Sequence, residues 1–291
     1  MNRNKLPRLL NVGELALKYR FATLEAWAME HLRLIISDDG FCLSDDSTIS
    51  ELDVDNTLGR IIQLAIAGDH PPLLDSICRK VIKQVLWEDF FPGVRLLEVV
   101  ERHSLQSNCL HRLLGVLYYR MLVTLETTES SSTPVQPIFP PLMNLEKRMR
   151  FLSAYQSLSA VWNRLCSAPP PLPAVEPPDD ITLSEYSTHL NALPDPHTAC
   201  MQSWSQLWLA AAQQVNATQH CRRNGTVGLT RSHASPASVL SNLKQMMLIL
   251  RKGTADSRVM CTQCSMDGLE SIALIRDQLI ESMGGMFVYC A

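Results

Sequence analysis

Residues 8–35, RLLNVGELALKYRFATLEAWAMEHLRLI, decide the fold. Apolar side chains recur there at offsets of three and four, the period that lines one face of an α-helix. The second half of the stretch carries Leu24, Trp27, Ala28, Leu32 and Ile35 on one such stripe. The same pattern continues down the chain to about residue 283. No run alternates with period two over a useful length, so strands are expected to be few or absent. The expectation is an all-α protein of antiparallel helix pairs in an irregular bundle, about ten helices with little or no sheet.

Further stripes follow. Leu58, Ile61, Ile62 and Ala65 form one, with Asp55 placed to cap the first turn. Pro71 and Pro72 start a helix that turns Leu74, Ile77, Cys78, Val81, Ile82 and Val85 inward and leaves Arg79, Lys80 and Lys83 to solvent. Pro92 opens a short helix around VRLLEVV, and Leu110, Leu113, Leu114, Leu117 and Met121 mark a longer one. Beyond the middle of the chain, Leu158, Val161, Trp162 and Leu165 share a face, as do Cys200, Trp204, Leu207, Trp208 and Ala211. Ser235 and Pro236 read as N-cap and first-turn residues for a stripe of Val239, Leu243, Met246, Met247 and Leu250. The last helix carries Leu269, Ile272, Ala273 and Ile280, and Gly284 with Gly285 sits where a C-cap would end it.

Two segments interrupt this pattern. TTESSSTPVQPIFPP, 127–141, is rich in residues that cannot sustain a helix and reads as a surface loop. APPPLPAVEPPDD, 168–180, is proline-dense and reads as an extended, stiff spacer; a ligand for a partner's aromatic groove is the sharper alternative. The chain therefore divides into an N-terminal helical unit at 5–126, a loop at 127–142, a connecting helix at 143–167, a linker at 168–180 and a C-terminal helical unit at 181–285.

Composition bounds the function. The 291 residues are 46% hydrophobic, ample for a core. A net charge of −3, from 26 basic and 29 acidic side chains, supplies no global positive field, which disfavours nucleic acid as a partner. Apolar runs such as IIQLAIAG, 61–68, are far shorter than the roughly 20 residues that span a bilayer, and Arg8, Glu14 and Lys18 break any signal-peptide core. No membrane segment is expected, and the location expected is intracellular, cytoplasm or nucleus. Nine cysteines, an odd count spread along the chain and often on apolar helix faces, suit reduced buried thiols. The sequons at Asn216 and Asn224 then have no role.

Chemistry-bearing motifs are sparse. Cys261-Thr262-Gln263-Cys264 has the spacing with which two thiolates grip one zinc ion, His197-Thr198-Ala199-Cys200 repeats it upstream, and His220-Cys221 lies between. Against a metal, zinc ligand pairs usually sit on tight turns, whereas Cys200 and Cys264 lie at or beside amphipathic helices, where ordinary packing accounts for them. A zinc-stabilised domain is the alternative, and the primary expectation contains no metal, cofactor or catalytic residue. A cysteine–histidine dyad would need both side chains in hydrogen-bond reach and a third group to orient the imidazole. G-x-S-x-G, G-x-x-x-x-G-K-type and H-E-x-x-H motifs are absent. The acidic segment 38–55 lacks the alternate-position carboxylates of an EF-hand, and the basic clusters Arg222, Arg223, Arg231 and Lys147, Arg148, Arg150 read as solvated faces.

The order of these segments resembles the region downstream of the BTB/POZ fold in BTB-domain proteins of mushroom-forming fungi. The pieces are RLLNVGELALKYRFATLEAWAMEHL, GDHPPLLDSICRKVIKQVLW, FLSAYQSLSAVWNRLCSAPPPLP, CMQSWSQLW, SPASVLSNLKQM and QCSMDGLESIALIRDQL. The resemblance matches Cys200, Trp204, Trp208 and Cys264 to recurrent positions of that helical region and implies no catalytic residue. It implies a protein-interaction adaptor with a protein partner and no small-molecule substrate. BTB strands and dimer-forming helices have no counterpart before Met1, so neither dimerisation nor recruitment of cullin-type ubiquitin ligases is implied. The loss of those packing partners points to the helix of Leu9, Val12, Ala16 and Tyr19 as exposed apolar surface; the Trp204/Trp208 helix is the other place for a partner, unless both tryptophans are core. An unrecognised enzyme is the second alternative.

Overall fold

The helical stripes become ten α-helices in the computed structural model, which describes residues 5–38, 51–87, 93–128, 144–172, 196–224, 237–256 and 260–288. They are α1 Lys5–Tyr19, α2 Ala22–Ser37, α3 Glu51–Ala67, α4 Pro71–Trp87, α5 Val94–His103, α6 Asn108–Thr128, α7 Leu145–Ser167, α8 Pro196–Asn224, α9 Val239–Asp256 and α10 Thr262–Val288. A single 3-10 turn, Ser104–Gln106, joins α5 to α6, and the described residues contain no strand. None of the described helices is long and apolar enough to cross a membrane. Two compact units result, Met1–Met121 with Ile280–Ala291, and Leu122–Leu279. The final turns of α10 thus belong with the first unit, which a division of the sequence at its loops does not reveal.

In the first unit, α1 with α2 and α3 with α4 form helix hairpins closed by the same device. Arg20 and Asp69 sit at positive φ, 60° and 45°. Phe21 N–H reaches the Ala16 carbonyl and Arg20 N–H that of Leu17, while His70 and Asp69 repeat the pattern onto Ala65 and Ile66. These paired bonds satisfy carbonyls that a helix end leaves free and turn the chain back on itself. The hairpin stripes meet in a core that includes Leu10, Met29, Leu32, Ile36, Ile61, Ile77 and Val81. Tyr118 of α6 lies against Phe287 of α10, ring centroids 5.6 Å apart, and its hydroxyl donates to Glu101 at 2.5 Å.

Several details differ from the sequence reading. The buried stripe of α2 is Ala28, Met29, Leu32 and Ile36, so Leu24 and Trp27 point outward, Trp27 48% exposed. In α1, Leu9 and Ala16 are buried and Tyr19 is 59% exposed. Helix α1 finds its partners within the chain, because Gly13 lets it come close to Leu64 and Ala28. Lys80 is buried, its stem within the α4 face and its ammonium donating to the Asp38 carbonyl at 3.0 Å, the snorkelling that a long aliphatic stem permits. Helix α3 begins at Glu51, so Asp55 lies inside it rather than at its N-cap. Helix α10 runs through Gly284 and Gly285 instead of ending there.

The second unit is organised by tryptophan. Phe151, Ala154, Leu158 and Trp162 of α7 face Trp204, Trp208, Ala211 and Val215 of α8 and Leu243, Met246 and Leu250 of α9. Each indole N–H is satisfied: Trp162 donates to Asn216 at 3.2 Å, Trp204 to the Pro170 carbonyl at 3.2 Å and Trp208 to the Leu165 carbonyl at 2.6 Å. Both Trp204 and Trp208 are therefore core, which removes them as a partner surface. Asn144 caps α7 by accepting the Lys147 N–H at 2.9 Å. Thr127 and Thr128, read from the sequence as the start of the Ser/Thr/Pro loop, are the last residues of α6, and the rest of that loop up to residue 142, the Pro-rich linker beyond residue 172, and the Ser235–Pro236 pair lie outside the described residues.

Candidate metal centre

Two helix starts in the second unit bring the chain's paired chemistry together. His197 and Cys200 lie in the first turn of α8, where a spacing of three puts both side chains on one face. Cys261 stands immediately before α10 and Cys264 in its first turn. The Cys261 carbonyl accepts the Ser265 N–H at 3.1 Å and its sulfur accepts the Cys264 N–H at 3.4 Å. Cys261 thus caps α10 with a thiol where serine or aspartate is usual. A helix start supplies what the sequence reading assigned to a tight turn: free N–H groups and a positive dipole end facing a sulfur.

The His197 imidazole and the thiols of Cys200, Cys261 and Cys264 converge so that one ligand atom from each lies within 4.8 Å of every other. His197 Nδ1 and Cys264 Sγ are 3.2 Å apart, and the Cys261 N–H donates to Cys200 Sγ at 3.4 Å. A tetrahedral zinc ion with bonds of about 2.3 Å to sulfur and about 2.0 Å to nitrogen separates its ligands by roughly 3.5–3.8 Å, so the cluster is of the size such an ion requires. Cys200 and Cys264 are buried and Cys261 lies at the surface, which gives an ion a route in. The backbone N–H groups on the Cys200 and Cys261 sulfurs hold those ligands in orientation.

Electrostatics supports the same arrangement. The Cys264 N–H, followed by the Cys264 thiol, holds the Cys261 thiol below the usual thiol range. Burial, then the neighbouring Cys261 and Cys200 thiols, push Cys264 up to about 12. Several thiolates cannot share so small a volume without a cation, and a divalent metal reverses that repulsion. The 3.2 Å approach of His197 to Cys264 also meets the distance condition for a nucleophilic dyad. A buried thiol pushed upward is the opposite of an activated nucleophile, and two further thiols crowd the pair.

The surroundings fix the two helix starts relative to each other. Trp204, one turn beyond Cys200, packs closely against Gly268, one turn beyond Cys264, and a Cβ at Gly268 would come within 2.8 Å of the indole ring. The sequence motifs H-x-x-C and C-x-x-C carried the signal for all four ligands; their convergence across 60 intervening residues was not readable from spacing. The side chains of His220 and Cys221 and the acidic segment 39–50 lie outside the described residues. Comparison with protein-family models, with curated proteins and with solved structures returned no match.

Proposed function

We propose that this chain is a non-enzymatic helical protein whose second unit is stabilised by a structural zinc ion and whose first unit offers a surface to a protein partner. The observation that carries the zinc reading is the convergence of His197, Cys200, Cys261 and Cys264 within 4.8 Å. Three thiolates and an imidazole form a soft donor set that suits zinc over magnesium or calcium. Four protein donors fill a tetrahedral shell and leave no position for the water or substrate that catalytic zinc needs, so the metal's role is structural. Elemental analysis of the purified chain is expected to return about one zinc per chain, and a fully folded protein free of metal would sink the reading.

The partner reading is supported by the resemblance to BTB-family helical regions and by the outer face of the first hairpin. Tyr19, Phe21, Leu24 and Trp27 are all exposed there, and the Tyr19 and Phe21 rings lie 6.3 Å apart. Exposed aromatic side chains grouped in this way are the usual anchors of protein interfaces. A pull-down with the parent chain and with a Phe21→Ser, Trp27→Ser double variant tests this. The variant is expected to retain its fold and lose the captured protein, whereas equal capture by both forms would remove this face from consideration.

A further inference from the structure

The four ligands of the candidate metal centre face solvent unequally. Cys200 and Cys264 are buried, whereas Cys261 is exposed, as are Thr262 and Gln263 that follow it. A small solute therefore reaches the Cys261 sulfur first. That sulfur does not stand alone, because it and the sulfurs of Cys200 and Cys264 all lie within 4.8 Å of one another. Neighbouring thiols in such reach are what an oxidised cysteine needs to go on to a disulfide instead of stopping at the sulfenic acid.

The backbone selects between the two neighbours. Cys261 and Cys264 stand one turn apart at the same helix start, and the Cys261 sulfur already accepts the Cys264 N–H at 3.4 Å. Side chains three residues apart on a helix have Cβ atoms about 5–6 Å from each other, and a disulfide needs about 3.5–4.5 Å. Rotation at Cys261, which precedes the first helical residue, closes that small difference within α10. A bridge from Cys261 to Cys200 would instead pull α8 toward α10. Trp204 already packs on Gly268 between those helices so closely that a Cβ there would come within 2.8 Å of the indole. Cys264 is therefore the resolving partner.

Resting on the zinc reading above, we propose that Cys261 is a peroxide-modified site whose oxidation closes a Cys261–Cys264 disulfide and releases the metal. A cysteine that ligates zinc is a thiolate. In the first step the Cys261 sulfur attacks one oxygen of hydrogen peroxide; an S–O bond forms, the O–O bond breaks, and the departing hydroxide takes a proton from solvent to leave as water. Cys261 is then a sulfenic acid. In the second step the Cys264 thiolate attacks the Cys261 sulfur; the S–S bond forms, the S–O bond breaks, and a second hydroxide takes a proton from solvent to leave as water. The two thiolates lose two electrons and one peroxide gains them. Of the four donors only His197 and Cys200 then remain, half of what a structural zinc site requires.

The test uses the full chain as purified. Its zinc content is measured first; hydrogen peroxide is then added in small molar excess at neutral pH with a chromogenic zinc indicator present, and alkylation with peptide mass spectrometry maps the thiols. Zinc is expected to leave at least about ten-fold faster than without peroxide, in step with a disulfide between residues 261 and 264. Cys166→Ala, which alters a thiol of the same unit outside the cluster, should release zinc as the parent does. A chain purified without zinc sinks the metal reading and this proposal together. A zinc-loaded chain that keeps its metal under peroxide, or loses it with residue 261 unlinked or linked to residue 200, overturns this proposal and leaves the metal reading standing.

Discussion

Stripping the metal from the purified chain with a strong zinc chelator is expected to collapse the tertiary structure of the second unit. The near-ultraviolet signal of Trp162, Trp204 and Trp208, all buried in that unit, should fall toward that of free indole. Structural zinc contributes apparent binding free energies of about 10–16 kcal/mol in small finger peptides, whereas whole domains are stable by only about 5–15 kcal/mol. Even a fraction of the zinc contribution therefore decides whether the unit stays folded. Cys264→Ala should lower stability by at least about 3 kcal/mol and abolish zinc retention. Cys166→Ala, which alters a thiol of the same unit outside the cluster, should keep the metal. Thermal melts of both variants with and without chelator check this; identical melts for Cys264→Ala and the chelated parent are expected, and a parent melt indifferent to chelator would end the metal reading.

The stripe pattern made the helices legible because each buries one face, and burial is what sets the three-to-four-residue period. Ile61, Ile62, Ile77, Val81, Leu113 and Leu117 are all in the core, as their spacing implied. What failed was the orientation of stripes that had more apolar residues than the core could take. In α2, Leu24 and Trp27 compete with Met29 and Ile36 for the inward face, and neighbouring helices, not the period, decide in favour of the latter pair. Lys80 was misplaced for a related reason: a charged head says nothing about where its four-carbon stem lies. For the candidate metal centre, the two pairs of ligands were visible as local spacings. The sequence could not show that α8 and α10 begin side by side, because that contact depends on Trp204 meeting Gly268.

The glycines of the last helix illustrate the same limit and set up the second large effect. A glycine pair near a chain end reads as a C-cap, yet Gly284 lies within α10, at the point where that helix crosses Gly115 of α6. The backbones approach so closely that a Cβ on Gly115 would run into the main chain at Met283 and Gly284. Main-chain atoms of a helix cannot rotate aside as a side-chain tip can, so the helices themselves must separate. Their separation would loosen Tyr118 from Phe287 and disturb the Arg112–Glu281 ion pair, which bridge the same two helices. Gly115→Ala is therefore expected to destabilise the first unit by about 3 kcal/mol or more, at the upper end of overpacking costs. Gly59 of α3 supplies the control: there the nearest obstacle to a Cβ is the Val99 side chain at 3.4 Å, an ordinary contact. Gly59→Ala should gain up to about 1 kcal/mol from helix propensity and a less free unfolded chain. Denaturant unfolding of the two variants should thus shift the midpoint in opposite directions, and a Gly115→Ala protein as stable as its parent would show that α6 and α10 do not cross at these glycines.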